Sequence, residues 1–246
     1  MRDLAETFAN ASDDPCRTAV AHARAIFDPD ALRALRHYLD TLAATRLAHG
    51  ASEREQHAIA RGESSDALRL DPSWFDAFRN PSRALLDAIG AHHWVAYPPQ
   101  VRIVRRASHL VPWHQDVGYQ RLLGARAHSR HITCFVPLDE DPQRRPSIEF
   151  ALTSATELEH VARDGFGAGL DAAPPGERVA YALALGDALV FGDLVPHRTI
   201  VPDPARAERR SLEFRLVRPE DAVLDKDYFD VRAGTFVRRT PAVEVA

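Results

Sequence analysis

Apolar residues recur at near-helical spacing through "DPDALRALRHYLDTLAATRLAHG", where Leu32, Leu35, Leu39, Leu42 and Leu47 gather toward one face. Asp28-Pro29-Asp30 opens that run and Gly50 closes it, so a long amphipathic helix is expected between them. A polar, exposed helix is expected around Glu53 to Ala60, and two shorter ones after Asp71-Pro72 and Asn80-Pro81, the second ending at Gly90. From about residue 93 the pattern changes. Short runs rich in Val, Ile, Phe and Thr alternate with Pro, Gly and Asp: "HWVAY", "QVRIVRR", "RHITCFVPL", "SIEFAL", "RVAYALAL", "DALVFG", "LVPHRTIV" and "RSLEFRLV". These read as strands, and their number and spacing predict a sandwich or barrel. The Gly/Pro-rich "RDGFGAGLDAAPPGE", residues 163 to 177, reads as a long mobile loop between them. There are no repeats and no low-complexity linker. The expectation is one domain over 1–246, with a helical part over about 1–92, a β core over about 93–218 and a C-terminal extension over 219–246.

Composition narrows the partners. With 246 residues, 45% hydrophobic and 27% charged, the chain can bury one sizeable core. A net charge of -4 gives no general reason to expect a nucleic-acid or membrane partner. The most apolar stretch, "VAYALALGDALVF", is too short to span a bilayer and is broken by Gly186 and Asp187. The opening "MRDLAETFANASDDP" has no apolar signal core, and Cys16 and Cys134 are too far apart for metal-type spacing, so a reduced cytoplasmic location is expected. Oligomeric state leaves no mark on the sequence. Lys226 is the only lysine, so a buried anion in this protein is expected to be held by arginine.

Candidate chemistry begins at "WHQDVGYQ". Of twelve histidines, only His114 is followed two residues later by a carboxylate, Asp116. Alone the pair is weak evidence, and a surface turn is the competing reading. Downstream, "GDALVFGDLVPHRTIVP" carries two Gly-Asp turns and then His197; twelve residues later comes Arg209, two before Ser211. The whole order, His-x-Asp, a long gap, His and Arg-x-Ser, is far more specific than its parts. Two neutral imidazoles and one carboxylate can occupy one face of an octahedral Fe(II), leaving three positions for a chelating cosubstrate and dioxygen. On an extended segment His114 and Asp116 would share a side, while His197 must arrive from another strand.

In these segments the sequence resembles the phytanoyl-CoA dioxygenase family of Fe(II)/2-oxoglutarate-dependent oxygenases, across roughly residues 93 to 218. "WHQDVGY" is similar to the family's first ligand segment, "GDALVFGDLVPHRT" to the segment of its second histidine, and "RRSLEFR" to its final strand. The resemblance implies a double-stranded β-helix (jelly-roll, cupin-like) core with N-terminal helices packed on one sheet. It also implies iron held by His114, Asp116 and His197, and 2-oxoglutarate anchored by Arg209 with Ser211. "QVRIVRR" resembles the strand where some members, notably ectoine hydroxylases, place a cosubstrate glutamine, here Gln100. The implied reaction consumes O2, converts 2-oxoglutarate to succinate and CO2, and oxidises a C–H bond of a small-molecule substrate, usually to an alcohol. Asp116 is retained where halogenating relatives carry a small residue. Two departures leave the substrate class open: "RRPSIEFALTSAT" stands where the family often has Asn-Gly-x-Leu and then Pro-Gly-Ser-His, and Arg198 and Thr199 replace the usual small residue and serine.

Arg209 and Arg210 are adjacent, and strand alternation separates them. Arg209, Ser211, Glu213 and Arg215 fall on one face, Arg210, Leu212, Phe214 and Leu216 on the other. If helices cover the apolar face, Arg209 and Ser211 turn toward the cavity, where a guanidinium can grip a carboxylate with two prongs. The opposite register would turn Arg210 inward. Other residues fit two roles each. Trp113 and Tyr119 suit packing, with the Tyr119 hydroxyl within possible reach of a pocket. Arg102, Arg105, Arg106 and His109 suit a solvated strand edge or an anionic substrate. His92 and His93 have no obvious partner, and Glu149 alternates with Ile148 and Phe150 as a solvent-facing residue would. Thr133 and Thr199 fit either a cosubstrate contact or a strand-filling role. Two other classes compete: a zinc-dependent jelly-roll hydrolase or isomerase, which has no use for Arg209 and Ser211, and a non-catalytic jelly-roll binding module, which has no use for the triad.

Overall fold

The computed structural model describes residues 17–48, 83, 85–87, 93–96, 100–104, 110–118, 130–153, 156–162, 169–203, 208–223 and 227–238. The helices expected around 53–60 and after 71–72, together with Tyr119, His92, Arg105, Arg106 and His109, lie outside these residues.

The long helix α1 runs Pro29–Ala48. Its start is built as the sequence suggests: the Asp28 side chain accepts the Asp30 backbone N–H at 3.0 Å, and Pro29 takes a position where no N–H is required. Leu32 and Leu35 of its apolar stripe are fully buried.

Thirteen strands are described: β1 Val20–Ala23, β2 Trp94–Ala96, β3 Gln100–Val104, β4 Ile132–Pro137, β5 Ser147–Leu152, β6 His160–Val161, β7 Gly169–Leu170, β8 Glu177–Ala180, β9 Ala188–Gly192, β10 His197–Ile200, β11 Arg209–Val217, β12 Asp227–Asp230 and β13 Thr235–Arg238. The major sheet has the order β1-β9-β4-β11-β2-β12-β13, with β3 also paired to β11. A smaller sheet has the order β10-β5-β8, and β6 pairs with β7. Every pairing is antiparallel.

The centre of the major sheet is buried on both faces, which explains why β4 and β9 read as unbroken buried runs rather than alternating ones. Cys134 and Val136 of β4, Ala188 and Val190 of β9, and Leu212, Phe214 and Leu216 of β11 pack with Leu32 and Leu35 of α1. Phe135, Leu189 and Phe191 point the other way, against Ile148 and Phe150 of the small sheet. The result is a jelly-roll core with a helix on the outer face of its larger sheet.

Three expectations are corrected. The N-terminal third is not purely helical, because β1 pairs with β9, Val20 opposite Phe191. It is stapled there by the two Gly-Asp turns: Asp187 accepts the Ala25 and Ala184 N–H groups and bonds His22, and Asp193 takes both prongs of Arg17 at 2.9 Å. Gly186, at φ +101°, has no room for a side chain because Phe27 O stands 2.8 Å from where a Cβ would be. The C-terminal extension carries two strands beyond the eight runs read from the sequence, since β12 and β13 continue the major sheet. Finally, Gly169–Leu170, expected within a mobile loop, form a strand, and the Leu170 N–H donates to Trp113 O at 2.7 Å. Among the described residues no helix is long and apolar enough to cross a membrane.

Candidate metal centre and the adjoining arginines

The segment around Val111–His114 lies alongside β10. Thr199 N–H donates to Val111 O at 3.0 Å, while His114 and His197 exchange both backbone bonds at 3.0 and 2.9 Å. That reciprocal pairing puts two imidazoles from distant parts of the sequence side by side, ring centroids 4.1 Å apart. After His114 the chain leaves the extended conformation: residues 116–118 form a helical turn, closed by Gly118 N–H donating to Gln115 O at 3.1 Å. Asp116 therefore reaches His114 through that turn, and the strand-alternation argument for this pair is replaced.

The ring nitrogens are sorted by the backbone. His114 Nδ1 stands 3.0 Å from Pro112 O, and His197 Nδ1 stands 2.9 Å from Val195 O. A carbonyl can only accept, so each Nδ1 carries the hydrogen and each Nε2 presents a lone pair. Those Nε2 atoms lie 3.7 and 3.9 Å from Asp116 Oδ1. The three potential ligand atoms all fall within 4.8 Å of one another, in buried side chains. Burial, followed by the neighbouring His114, pushes His197 down to about 3, so its ring is neutral. Burial opposes the Asp116 charge, yet Arg215 and the surrounding imidazoles hold that carboxyl well below the usual carboxylate range. The neutral imidazole of His197 and the ionised carboxylate of Asp116 converge with the His114 ring, and neutral imidazole and ionised carboxylate are the forms that bind a divalent cation.

The second carboxylate oxygen, Oδ2, is turned away from the rings. It accepts the Thr133 hydroxyl at 2.6 Å and lies 3.4 Å from His131 Nε2 and 3.6 Å from Arg215 Nη2. Gln115, between His114 and Asp116, is fully buried: its amide nitrogen donates to Thr156 O and Leu194 O, and its amide oxygen accepts Leu158 N–H. Its backbone N–H donates to His160 Nε2 at 2.8 Å.

Arg209 and Ser211 lie on the inner face of β11. Arg209 is 2% exposed; its Nη1 donates to Pro146 O at 3.3 Å, and its guanidinium carbon stands 5.0 Å over the Phe135 ring. The Ser211 hydroxyl is buried and has no hydrogen-bond partner. Arg210 points to the helix instead, donating to Asp40 at 2.6 Å. Gln100 sits on β3 opposite Glu213. Trp113 is a packing residue, buried with the guanidinium carbons of Arg178 and Arg198 at 4.3 and 4.9 Å from its ring. Glu149 is paired with Arg198 at 2.7 Å rather than facing solvent alone. The cluster of His114, Asp116 and His197 is joined, through Arg215, to the inner face of β11 that carries Arg209 and Ser211. The sequence reading missed Thr133, His131, Gln115 and His160 as supports of the cluster. Arg215 carried a signal, since it shares the alternation of Arg209 and Ser211.

No family profile and no curated sequence matches the chain. Solved structures similar to it include the non-heme monooxygenase ThoJ in its apo form, with TM-score 0.65 and 18% identity, covering 98% of this chain and 89% of that one. The epimerase SnoN, in complex with Fe3+, alpha ketoglutarate and nogalamycin RO, gives TM-score 0.57 and 17% identity over 92% of this chain and 84% of that one. The carbocyclase SnoK from nogalamycin biosynthesis, alpha ketoglutarate dependent, gives 0.56 and 13% over 90% and 88%. At such identities the likeness is one of fold: the chain has the jelly-roll architecture that these non-heme enzymes share.

Proposed function

We propose that this protein is a non-heme Fe(II)/2-oxoglutarate-dependent oxygenase acting on a small molecule, with His114, Asp116 and His197 as iron ligands. Arg209 and Ser211 anchor the distal carboxylate of 2-oxoglutarate in this reading, and Gln100 stands by as a further cosubstrate contact. The donor set fits: neutral imidazole and carboxylate suit ferrous iron, and both Nε2 lone pairs and Asp116 Oδ1 converge. The inner face of β11 fits as well, because a buried hydroxyl without a partner among the described residues, Ser211 Oγ, stands two residues from a buried guanidinium.

One observation carries the pairing of metal and cosubstrate. On β4, Thr133 holds the metal-site carboxylate, and Phe135 lies under the Arg209 guanidinium. Two residues along a strand span roughly 7 Å. That interval suits a short dicarboxylate with one end at the metal and the other on Arg209. A zinc hydrolase would use the same triad but leave the arginine and serine without a task. When bound, iron would supply the activation of dioxygen, coupled to conversion of 2-oxoglutarate into succinate and CO2. The chain's own residues fix the ligand tautomers, keep Asp116 ionised and hold the cosubstrate in one orientation. Hydroxylation is the proposed outcome; epimerisation and ring closure, named for the structural neighbours SnoN and SnoK, would draw on the same residues.

The test is anaerobic addition of Fe(II) and 2-oxoglutarate to metal-free protein. The proposal expects the weak visible charge-transfer band of iron-bound 2-oxoglutarate, absent in His197→Ala. A wild-type protein that binds iron but shows neither this band nor measurable affinity for 2-oxoglutarate would refute it.

A further inference from the structure

Arg215 stands beside the candidate triad with part of its guanidinium unused. It lies on the inner face of β11, opposite Thr133 of β4, six residues beyond Arg209. Its Nη2 stands between two carboxylates, 3.6 Å from Asp116 Oδ2 and 3.7 Å from Glu213 Oε2. Its other terminal nitrogen, Nη1, is buried and has no hydrogen-bond partner. A guanidinium spreads its charge over all three of its nitrogens, so Nη1 is a desolvated cationic donor beside the Asp116 carboxylate. Ser211 Oγ, on the same strand face, is also a buried donor with no hydrogen-bond partner among the described residues. Ser211 and Arg215 flank Glu213, one toward Arg209 and the other at Asp116.

We infer that Arg215 is a second carboxylate-binding arginine, whose Nη1 donates to the carboxylate that sits next to the keto group of a 2-oxo acid at the metal. The inference rests on the proposed function. A 2-oxo acid that chelates a metal must bring its 1-carboxylate to the ion, next to Asp116. Arg215 stands there with one nitrogen committed to the protein's carboxylates and one uncommitted. Arg209 and Arg215 would thus read opposite ends of the same molecule. Arg209 would recognise the feature that makes it a dicarboxylate, and Arg215 the feature that makes it a 2-oxo acid.

That division gives the test. Zn(II)-loaded protein, which does not turn over, is titrated calorimetrically with 2-oxoglutarate and with 2-oxopentanoate, which lacks the distal carboxylate. Metal affinity and melting temperature are measured separately for each variant. Arg209→Ala should weaken 2-oxoglutarate and leave 2-oxopentanoate unchanged, erasing the preference between them. Arg215→Met should weaken both ligands alike, by at least about tenfold, and keep the preference. Arg215→Lys, which retains the charge but not the planar fork, should recover part of the loss; it also serves if the methionine variant folds poorly. Arg215→Met or Arg215→Lys protein that binds both oxo acids like wild type overturns the inference, and leaves Arg215 as a brace for Asp116 or a contact for an anionic substrate. Wild-type protein that binds neither oxo acid overturns the 2-oxoglutarate reading, and this inference with it.

Discussion

Gly118→Ala should unseat the candidate metal-binding segment without touching His114, Asp116 or His197. A Cβ built on Gly118 falls within the His160 imidazole, nearer its Nδ1, Cε1 and Cγ than any real side chain approaches another atom. The ring cannot yield cheaply, because Nε2 accepts the Gln115 N–H at 2.8 Å and Nδ1 donates to Leu158 O at 2.8 Å. Expelling it loses two hydrogen bonds at about 1 kcal/mol each. The overpacking adds about 1–3 kcal/mol. The sum, about 3–5 kcal/mol, should lower the melting temperature of a chain this size on the order of 10 °C. Gln115 lies between His114 and Asp116, so metal affinity should fall as well. Thermal unfolding of metal-free protein and a metal titration check both effects. The decisive experiment is the double variant. His160→Ala alone loses the same two bonds, and adding Gly118→Ala to it should then cost little, roughly 0.5 kcal/mol or less. Additive losses, or a Gly118→Ala protein that melts like wild type, would refute the reasoning.

Thr133→Val keeps shape but removes the 2.6 Å bond to Asp116 Oδ2, and should weaken metal binding about 10-fold or more while Thr133→Ser restores it. Arg210→Ala should cost roughly 0.5–1 kcal/mol of stability through its half-exposed partner Asp40, with 2-oxoglutarate affinity unchanged by calorimetry. Burial opposes the charge of Asp187, but the Ala184 and Ala25 N–H groups and His22 together hold its carboxyl below the ordinary value. A depressed folded-state pKa adds stability above the unfolded value near about 4 and loses it as pH falls through the folded one, so Asp187→Asn should flatten the acid limb of a stability-versus-pH curve and lower its neutral plateau. Cys134, whose thiol burial pushes up to about 12, should resist alkylation in native protein and react once denatured.

What the sequence made legible follows the local rules. The long helix announced itself by its Leu stripe and Asp28 cap, and the strands of the two sheets by β-branched runs between turn residues. The apolar side of "RRSLEFRLV" assigned Leu212, Phe214 and Leu216 to the helix, and they pack there. Short strands were harder. Val20–Ala23 reads "VAHA", with no pattern to set it apart, and its place on β9 is fixed by Arg17, His22 and two distant aspartates. Gly169–Leu170 and His160–Val161 are two residues each, below the length at which alternation carries information. In the candidate site, the order of His114, Asp116, His197 and Arg209 was visible because the residue types are distinctive. Their supports were not. Thr133 and Gln115 act through contacts to chain segments far away in sequence, and nothing in "ITCFVP" separates a threonine that holds a carboxylate from one that fills a strand.

The reciprocal backbone pairing of His114 with His197 ties any metal capture to the late stages of chain synthesis and folding. A growing polypeptide that has displayed His114 and Asp116 still lacks its third donor for about 80 residues, and a two-donor fragment holds a first-row ion poorly. Closing the seam requires β10 to lie against the 111–114 segment, a contact of high sequence separation that forms with the sandwich rather than before it. An ion that recognises only the closed seam stabilises the completed fold by mass action and gives partly made chains almost nothing. Metal retention would then serve as a readout of whole-chain integrity: a lesion anywhere in the sandwich that loosens the seam should appear as metal loss before it appears as unfolding.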